Sequence, residues 1–187
     1  MTATGPVVRV VWAWTEDRSL ADRLIAEVLD DLPVDGPHQV HRLCPWCGAA
    51  DHGRPVLAGR SAPHLSISRA GSLTVVAVCD TSPVGVDVER ADARPPAGSV
   101  VSWVRTEALL KATGHGLRLD PATVLLSEPD QEPELIGWPE PAMPVVRMRD
   151  IGTAPGFVAA VAVLTADPVS VLVGPAAPGA ARARATT

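Results

Sequence analysis

The chain has 187 residues, and 47% of them are hydrophobic, which excludes a largely disordered chain and leaves enough apolar surface for a core. Its net charge of −5 at pH 7 and the lack of a basic stripe argue against nucleic-acid binding. No apolar run is long enough to span a bilayer and the N-terminus carries no secretion signal, so we expect a cytoplasmic protein without a membrane partner.

The first part of the chain predicts a strand, a helix and a second strand. Residues 7–14, VVRVVWAW, are typical of a strand, and residues 19–32 carry leucine, isoleucine and valine at helical spacing. Proline and glycine end this helix, and a polar connector with two cysteines extends to about residue 55. The next strand is predicted at 63–71, where it ends in a turn.

The second part of the chain predicts a hairpin and another helix. Residues 72–80 and 84–89 are expected to pair as neighbouring strands through the turn TSP. A helix is predicted at 100–114, with Gly114 as its C-terminal stop. Three more strands are expected, in the segments 122–128, 144–150 and 156–166.

The order of these elements predicts an α+β fold. We expect a single domain over residues 1–173, with two pseudo-equivalent halves at about 1–80 and 81–173. Residues 174–187, GPAAPGAARARATT, are expected to form a loose tail because they are rich in alanine, glycine and proline.

Two carboxylates interrupt the apolar strand VGVDVE at 84–89. Asp87 and Glu89 share one face of the predicted strand, because residues two apart point to the same side, and they could both reach one cation. Gly85 on the same face leaves room for a ligand. Oxygen ligands of this kind suit Mg²⁺. On pattern alone, the solvated face of an antiparallel hairpin is the simpler interpretation.

The second helix adds a carboxylate and an ammonium group. Glu107 and Lys111 stand at i and i+4, and Trp103 lies one turn earlier on the same face. Lys111 is the only lysine among 16 basic residues, which indicates a site that needs an ammonium and not a guanidinium. The alternative is an ordinary surface ion pair, worth about 0.3–0.5 kcal/mol.

These segments resemble a known family. VGVDVE followed by WVRTEALLKATGHGL is similar to the two signature motifs of the 4′-phosphopantetheinyl transferases, in particular the surfactin-synthetase type. DHGRPVL, PHLSISRAGSLTVVAV and APGFVAAVAV resemble three further segments of that family, in the same order, so that the resemblance covers most of residues 50–165. It implies a phosphopantetheinyl-transferase-like fold.

The resemblance implies transfer of 4′-phosphopantetheine from coenzyme A to a serine of an acyl or peptidyl carrier protein, with release of adenosine 3′,5′-bisphosphate. It implies that Asp87, Glu89 and Glu107 bind Mg²⁺ on the pyrophosphate of coenzyme A. Glu107 or Glu89 accepts the proton of the serine, directly or through water. Lys111 stabilises the charge on the leaving bisphosphate. We expect the protein to be a monomer.

The same resemblance assigns the nucleotide contacts. Arg54, Ser68 and Arg69 contact the phosphates, and His64 lines the adenine pocket. Ordinary surface charge is the alternative for the two arginines, and a structural role is the alternative for the histidine.

The sequence departs from the family pattern at two places. Thr106 stands where the helix motif has its first lysine, and only 13 residues separate Glu89 from Trp103, fewer than in most members. These departures motivate a second hypothesis, a non-catalytic relative that binds coenzyme A or a carrier protein.

The cysteines allow a separate site. Cys44 and Cys47 form a Cys-x-x-Cys pair that could bind zinc, but no second pair exists and the spacing to a histidine is irregular. A redox dithiol has less support, because the pair does not begin a helix after a strand. Cys79, in an apolar strand, is interpreted as a core residue. The nearby histidines are His38, His41 and His52.

Overall fold

The computed structural model of the chain describes residues 5–15, 17, 20–30, 40–44, 47–50, 53–57 and 62–177. Within these residues the chain forms an α+β fold with two α-helices and mixed sheets, which confirms the predicted class. The helices are α1 (Leu20–Asp30) and α2 (Val100–Thr113). No helix in the described part of the chain is both long and apolar enough to cross a membrane.

The strands lie in two main sheets and two small ribbons. They are β1 (Val7–Trp14), β2 (Val40–Leu43), β3 (Arg54–Leu57), β4 (His64–Ala70), β5 (Leu73–Cys79), β6 (Val84–Arg90), β7 (Leu125–Leu126), β8 (Leu135–Gly137), β9 (Arg147–Ile151), β10 (Phe157–Val163) and β11 (Ser170–Pro175). The first sheet has the order β11-β1-β5-β4 and the second β6-β10-β9, while β2–β3 and β7–β8 pair as ribbons.

The two main sheets stack face to face, and each helix covers the outer face of one sheet. Alternate residues of β5 and β6 meet in the core between the sheets, among them Val75 and Val86. The other face of β5 packs on α1, and the outer face of β10 packs on α2 through Ala160 and Ala162. All seven residues of β5 are buried, because both faces of its sheet are covered.

The hairpin predicted for 72–80 and 84–89 is wrong. Strand β5 pairs with β1 on one side and β4 on the other, while β6 pairs with β10, where Asp87 lies opposite Ala160. Because both edges of β5 already have partners, the short turn carries the chain from one sheet to the next. The acidic face of β6 consequently lies against α2, and the solvated-hairpin interpretation of its carboxylates is also wrong.

Four strands lie where sequence reasoning placed none. The ribbon β2–β3 occupies part of the predicted polar connector, and β8 pairs with β7. Strand β11 runs parallel to β1 and extends to Pro175, so that residues 174–175 belong to the first sheet and not to the expected tail. The backbone N–H of Ala176 also donates to the Trp12 carbonyl, at 2.8 Å.

The second helix begins and ends as its sequence predicts. Ser99 caps its N-terminus, since its Oγ accepts a hydrogen bond from the Ser102 N–H at 3.1 Å. Gly114 ends it with φ of 78°, the left-handed conformation that favours glycine.

Gly85 lets α2 lie directly on β6. A Cβ at this position would lie 1.9 Å from the Ala108 carbonyl oxygen and 2.5 Å from the Ala112 nitrogen, both in the backbone of α2. The space beside Gly85 that was expected to admit a ligand is therefore filled by α2. This close approach brings the side chains of α2 onto the acidic face of the strand.

We expect Gly85→Ala to destabilise the protein by about 1–3 kcal/mol, because the added methyl group meets helix backbone that cannot rotate away. Gly152→Ala is the matched control, since a Cβ there meets no heavy atom within 4 Å. The control is expected to change stability by about 0.5 kcal/mol or less. Urea unfolding of the two variants measures the difference, and equal stabilities would contradict the role of Gly85.

Candidate functional site

Asp87 and Lys111 form an ion pair between β6 and α2. The Lys111 Nζ lies 2.6 Å from Asp87 Oδ1, and it also donates to Ser68 Oγ and to the Val86 carbonyl, each at 3.1 Å. The three donors of the ammonium group are thus matched by three acceptors. Lys111 therefore pairs with a buried carboxylate on another element. The alternative interpretation, a surface ion pair with Glu107, is not the ion pair that Lys111 makes among the described residues.

Two serines of β4 complete this arrangement from the first sheet. The Ser68 hydroxyl donates to Asp87 Oδ1 at 2.7 Å and accepts from the Val88 N–H at 3.4 Å. Ser66 Oγ accepts from the Val86 N–H at 3.0 Å. Among the described strands β6 lies at the edge of its sheet, and these hydroxyls satisfy backbone groups on its open side.

The other two predicted metal ligands lie near this pair. Burial raises the pKa of Glu107. The positive charge of Lys111 acts against this increase, and the negative charges of Asp87 and Glu89 add to it. Burial also raises the pKa of Glu89, and the charge of Asp87 adds to this effect. The three carboxylates therefore repel one another across a short distance, with one ammonium among them.

Two carboxylate oxygens in this cluster are left without partners. Asp87 Oδ2 and Glu107 Oε1 are buried and accept no hydrogen bond from any described residue. Across the described ranges, no three His, Cys, Asp or Glu side chains are arranged as a metal-ligand set. The carboxylate chemistry and the two unsatisfied oxygens nevertheless fit a hard divalent cation, which takes oxygen ligands.

A cavity of about 330 Å³ lies beside Lys111, between the β2–β3 ribbon, β4 and the C-terminal end of α2. Its basic lining residues are Arg42, Arg54 and Lys111, and its walls also include Leu65 and Leu110. Arg54 Nη1 approaches the end of α2, since it lies 3.7 Å from the position of a Cβ on Gly114. The cavity thus offers positive charge and apolar surface next to the carboxylate cluster.

His64 lines a second cavity of about 240 Å³, which shares Arg54 with the first. Burial lowers the pKa of His64, and the positive charge of Arg54 lowers it further. The imidazole is therefore mainly neutral at pH 7, which suits a stacking or packing contact better than a phosphate contact.

The three residues predicted to contact phosphates, Arg54, Ser68 and Arg69, do not lie together at one site. Arg54 lines both cavities, while the Ser68 hydroxyl belongs to the Asp87–Lys111 cluster. Arg69 is exposed on the opposite face of β4 from Ser68 and is not a lining residue of either cavity.

Sequence reasoning missed Arg42, Ser66 and His115. Arg42 lies on β2, which was predicted as connector, and its exposed strand pattern gives no signal. Ser66 stands two residues before Ser68, and this spacing could have placed both on one face. His115 lines the cavity, contacts Glu140 Oε2 at 3.3 Å and packs edge-to-face on Trp138 with ring centroids 5.4 Å apart.

Arg105 was also missed, although it fixes the position of α2. Its side chain is 1% exposed, and it makes two hydrogen bonds to Asp150 on β9, at 2.6 and 2.9 Å. It also donates to three backbone carbonyls of the segment 128–131. Arg105 stands four residues before Leu109, so both lie on the same face of α2, and Leu109 is buried. This spacing is the signal in the sequence that could have predicted a buried Arg105.

The predicted zinc site lies only partly within the described residues. Cys44, Cys47 and His41 are described, and both cysteines carry thiols, while His38 and His52 lie outside the described residues. Cys79 is fully buried in the core between the sheets, as predicted.

We expect Ser68 and Lys111 to be energetically coupled, and Ser127 and Lys111 to be independent. In a double-mutant cycle, Ser68→Ala with Lys111→Met is expected to be non-additive by about 0.5–3 kcal/mol, because the two groups share Asp87. The cycle with Ser127→Ala is the control, because the hydroxyl of this buried serine bonds to the backbone of Glu132 and Glu134 and shares no partner with Lys111 among the described contacts, and additivity within about 0.5 kcal/mol is expected. Urea unfolding provides the free energies, and equal coupling in both cycles would contradict the proposed network.

We expect Glu107→Gln to stabilise the protein at pH 7. Because the pKa of Glu107 is raised in the folded state, its ionised form costs folding free energy at neutral pH. This cost falls as the pH drops through the raised pKa, and it vanishes below the ordinary value of 4.5. The Tm difference from the wild type should therefore shrink between pH 7 and pH 4 in thermal unfolding.

The exposed Glu134→Gln is the control for this comparison. A Tm advantage of Glu107→Gln that is absent at pH 7, or that grows as the pH falls, would contradict the described electrostatics.

No protein-family model matches the chain, and no curated protein matches it. The functional assignment therefore depends on the site geometry and on the motifs in the sequence.

Proposed function

We propose that this protein is a 4′-phosphopantetheinyl transferase, which moves phosphopantetheine from coenzyme A to a serine of an acyl or peptidyl carrier protein. The observation that carries the proposal is the meeting of Asp87 on β6 with Lys111 on α2, within a cluster that also holds Glu89 and Glu107. The five motifs in the sequence that resemble this family add support. The released product is adenosine 3′,5′-bisphosphate.

The layered fold is compatible with the proposed phosphopantetheinyl-transferase-like architecture. Helix α1 covers the first sheet and α2 covers the second, so that each predicted half has one helix on one sheet. The halves are joined at β4 and β6, where the serine hydroxyls meet the strand edge. Strand β11 does not follow the division into two halves, because it comes from the end of the chain and yet pairs with β1 in the first sheet.

Asp87, Glu89 and Glu107 are the residues that would hold Mg²⁺. Their mutual repulsion and the unpartnered Asp87 Oδ2 and Glu107 Oε1 favour a divalent cation at this place. When bound, the cation offsets the negative charge of the pyrophosphate.

The protein residues have separate tasks in the proposed reaction. The serine Oγ of the carrier attacks the phosphorus of the transferred group, and the bond from that phosphorus to the leaving bisphosphate breaks. Glu107 or Glu89 accepts the serine proton, directly or through water, and a raised pKa makes each a stronger base than an ordinary carboxylate. Arg54 and Arg42 supply positive charge to the cavity that receives the nucleotide part.

A second candidate function is the binding of coenzyme A or a carrier protein without catalysis. Lys111 favours it, because its three donors are already engaged by Asp87, Ser68 and Val86. To stabilise the leaving group, Lys111 has to exchange one of these partners. Thr106, which is buried, also leaves the helix without the positive charge of the family motif.

Mass spectrometry of carrier proteins tests the proposal. The protein is incubated with coenzyme A, Mg²⁺ and a panel of apo carrier proteins, and at least one carrier is expected to gain the mass of phosphopantetheine. Asp87→Asn is expected to abolish the gain, while Asp130→Asn, on an exposed residue, is expected to leave it unchanged. EDTA is expected to stop transfer, and excess Mg²⁺ to restore it.

The outcomes separate the two candidate functions. Calorimetric binding of coenzyme A without a mass gain on any carrier would favour the non-catalytic function. Full activity of Asp87→Asn would overturn the assignment of the cluster. Lys111→Arg is expected to lower transfer, because a planar guanidinium cannot meet the same three acceptors.

A further inference from the structure

Cys44 lies at the cavity, and Cys47, three residues later, has different surroundings. Cys44 follows β2, is half-buried and lines the cavity of about 330 Å³ that also contains Arg54 and Lys111. Cys47 is exposed to solvent. Both residues carry thiols, one on a residue that lines the ligand space and one on a residue exposed to water.

Backbone hydrogen bonds tie Cys44 to the residues that follow Cys47. The Gly48 N–H donates to the Cys44 carbonyl, and the Cys44 N–H donates to the Ala49 carbonyl, each at 2.9 Å. Gly48 has φ of 73°, a conformation that favours glycine. The two-residue spacing of a Cys-x-x-Cys pair is one that thiol–disulfide exchange commonly uses.

A second contact fixes Cys44 against the ribbon. A Cβ on Gly53 would lie 2.5 Å from the Cys44 nitrogen, so only glycine permits this approach. Gly53 is followed directly by Arg54, and the next ladder pair joins Leu43 to Arg54. The position of Cys44 is therefore linked through the backbone to an arginine of the cavity wall.

We propose that Cys44 and Cys47 are a thiol–disulfide exchange site, whose oxidation competes with ligand binding in the cavity. The thiolate of exposed Cys47 attacks one sulfur of a small-molecule disulfide, forms a mixed disulfide and releases one thiol. The Cys44 thiolate then attacks the Cys47 sulfur and releases the second thiol. Two protein thiols become one disulfide, the small disulfide becomes two thiols, and the two protons pass to the released thiols.

Competition with a ligand follows from the place of Cys44. Cys44 lines the cavity, so a disulfide to Cys47 changes the cavity wall, and a ligand packed on that wall favours the thiol form. By thermodynamic linkage, a ligand that disfavours the disulfide binds the oxidised protein more weakly. The factor by which its affinity falls equals the factor by which the ligand lowers the equilibrium constant for disulfide formation. This step rests on the proposed function, because it takes coenzyme A as the ligand.

Glutathione disulfide tests the exchange site on the folded full chain. After incubation and digestion, mass spectrometry is expected to find a Cys44–Cys47 disulfide that dithiothreitol reverses. Cys44→Ser is expected to stop at a mixed disulfide on Cys47, and Cys47→Ser to react more slowly, because its remaining thiol at this site is half-buried. Cys79→Ala, which removes the buried core thiol, is expected to behave as the wild type.

Three outcomes would overturn the exchange site. These are no reaction of the wild type, a wild-type mixed disulfide on Cys47 that never closes, and reaction only after a chelator removes zinc from the two thiols. In a separate arm, S-methyl coenzyme A, whose sulfur is a thioether and takes no part in exchange, is expected to slow disulfide formation and to lower its equilibrium constant by about threefold or more, with a matching loss of affinity in the oxidised protein.

The S-methyl coenzyme A arm distinguishes the two proposals. Equal binding to both forms with no slowing would overturn the competition. Binding to neither form would contradict the proposed function and overturn the competition as well, while disulfide formation with glutathione disulfide would still support the exchange site.

Discussion

The close contact between the backbone of α2 and Gly85 is the constraint on which the site depends. Because no side chain separates the helix from β6, residues of α2 reach the strand from directly above it. Ala160 and Ala162 on β10 are buried under the helix, and their small side chains allow α2 to pack closely on the rest of the sheet. A larger separation would move Lys111 away from Asp87 and leave a buried carboxylate unpaired, an expensive state in a protein interior.

The cluster also joins the two sheets, which gives its charges a second role. Ser68 belongs to the first sheet, Asp87 to the second and Lys111 to the helix behind it, and their hydrogen bonds meet at one carboxylate oxygen. The Asp87 side chain is 7% exposed and that of Lys111 is 27% exposed, so solvent screens their attraction less than at a surface. Arg105 fixes the opposite side of α2. The helix is thus held by ionic contacts at two places.

The sequence predicted the helices and strands better than it predicted which elements pair or pack with each other. Helix α2 was predictable because Gly114 and the apolar spacing are local signals, and the alternation of β6 correctly placed Asp87 on the face away from Val86. Alternation does not say what covers a face, and hydrogen-bond partners far along the chain leave no local signal. The hairpin error and the misinterpretation of Gly85 both arose in this way. Arg42 was missed because its ribbon lacks a buried face.

The parallel pairing of β11 with β1 determines how late in synthesis the first sheet can be completed. Val7 lies opposite Ser170 in this ladder, and the Ala177 N–H donates to Glu27 on α1 across 150 positions of sequence. During synthesis, the first sheet therefore emerges with one edge of β1 open and closes it only when the last described strand has left the ribosome. Such distant pairings slow folding, and an open strand edge is the surface on which nascent chains associate. The early part of this chain thus depends on its late part for protection.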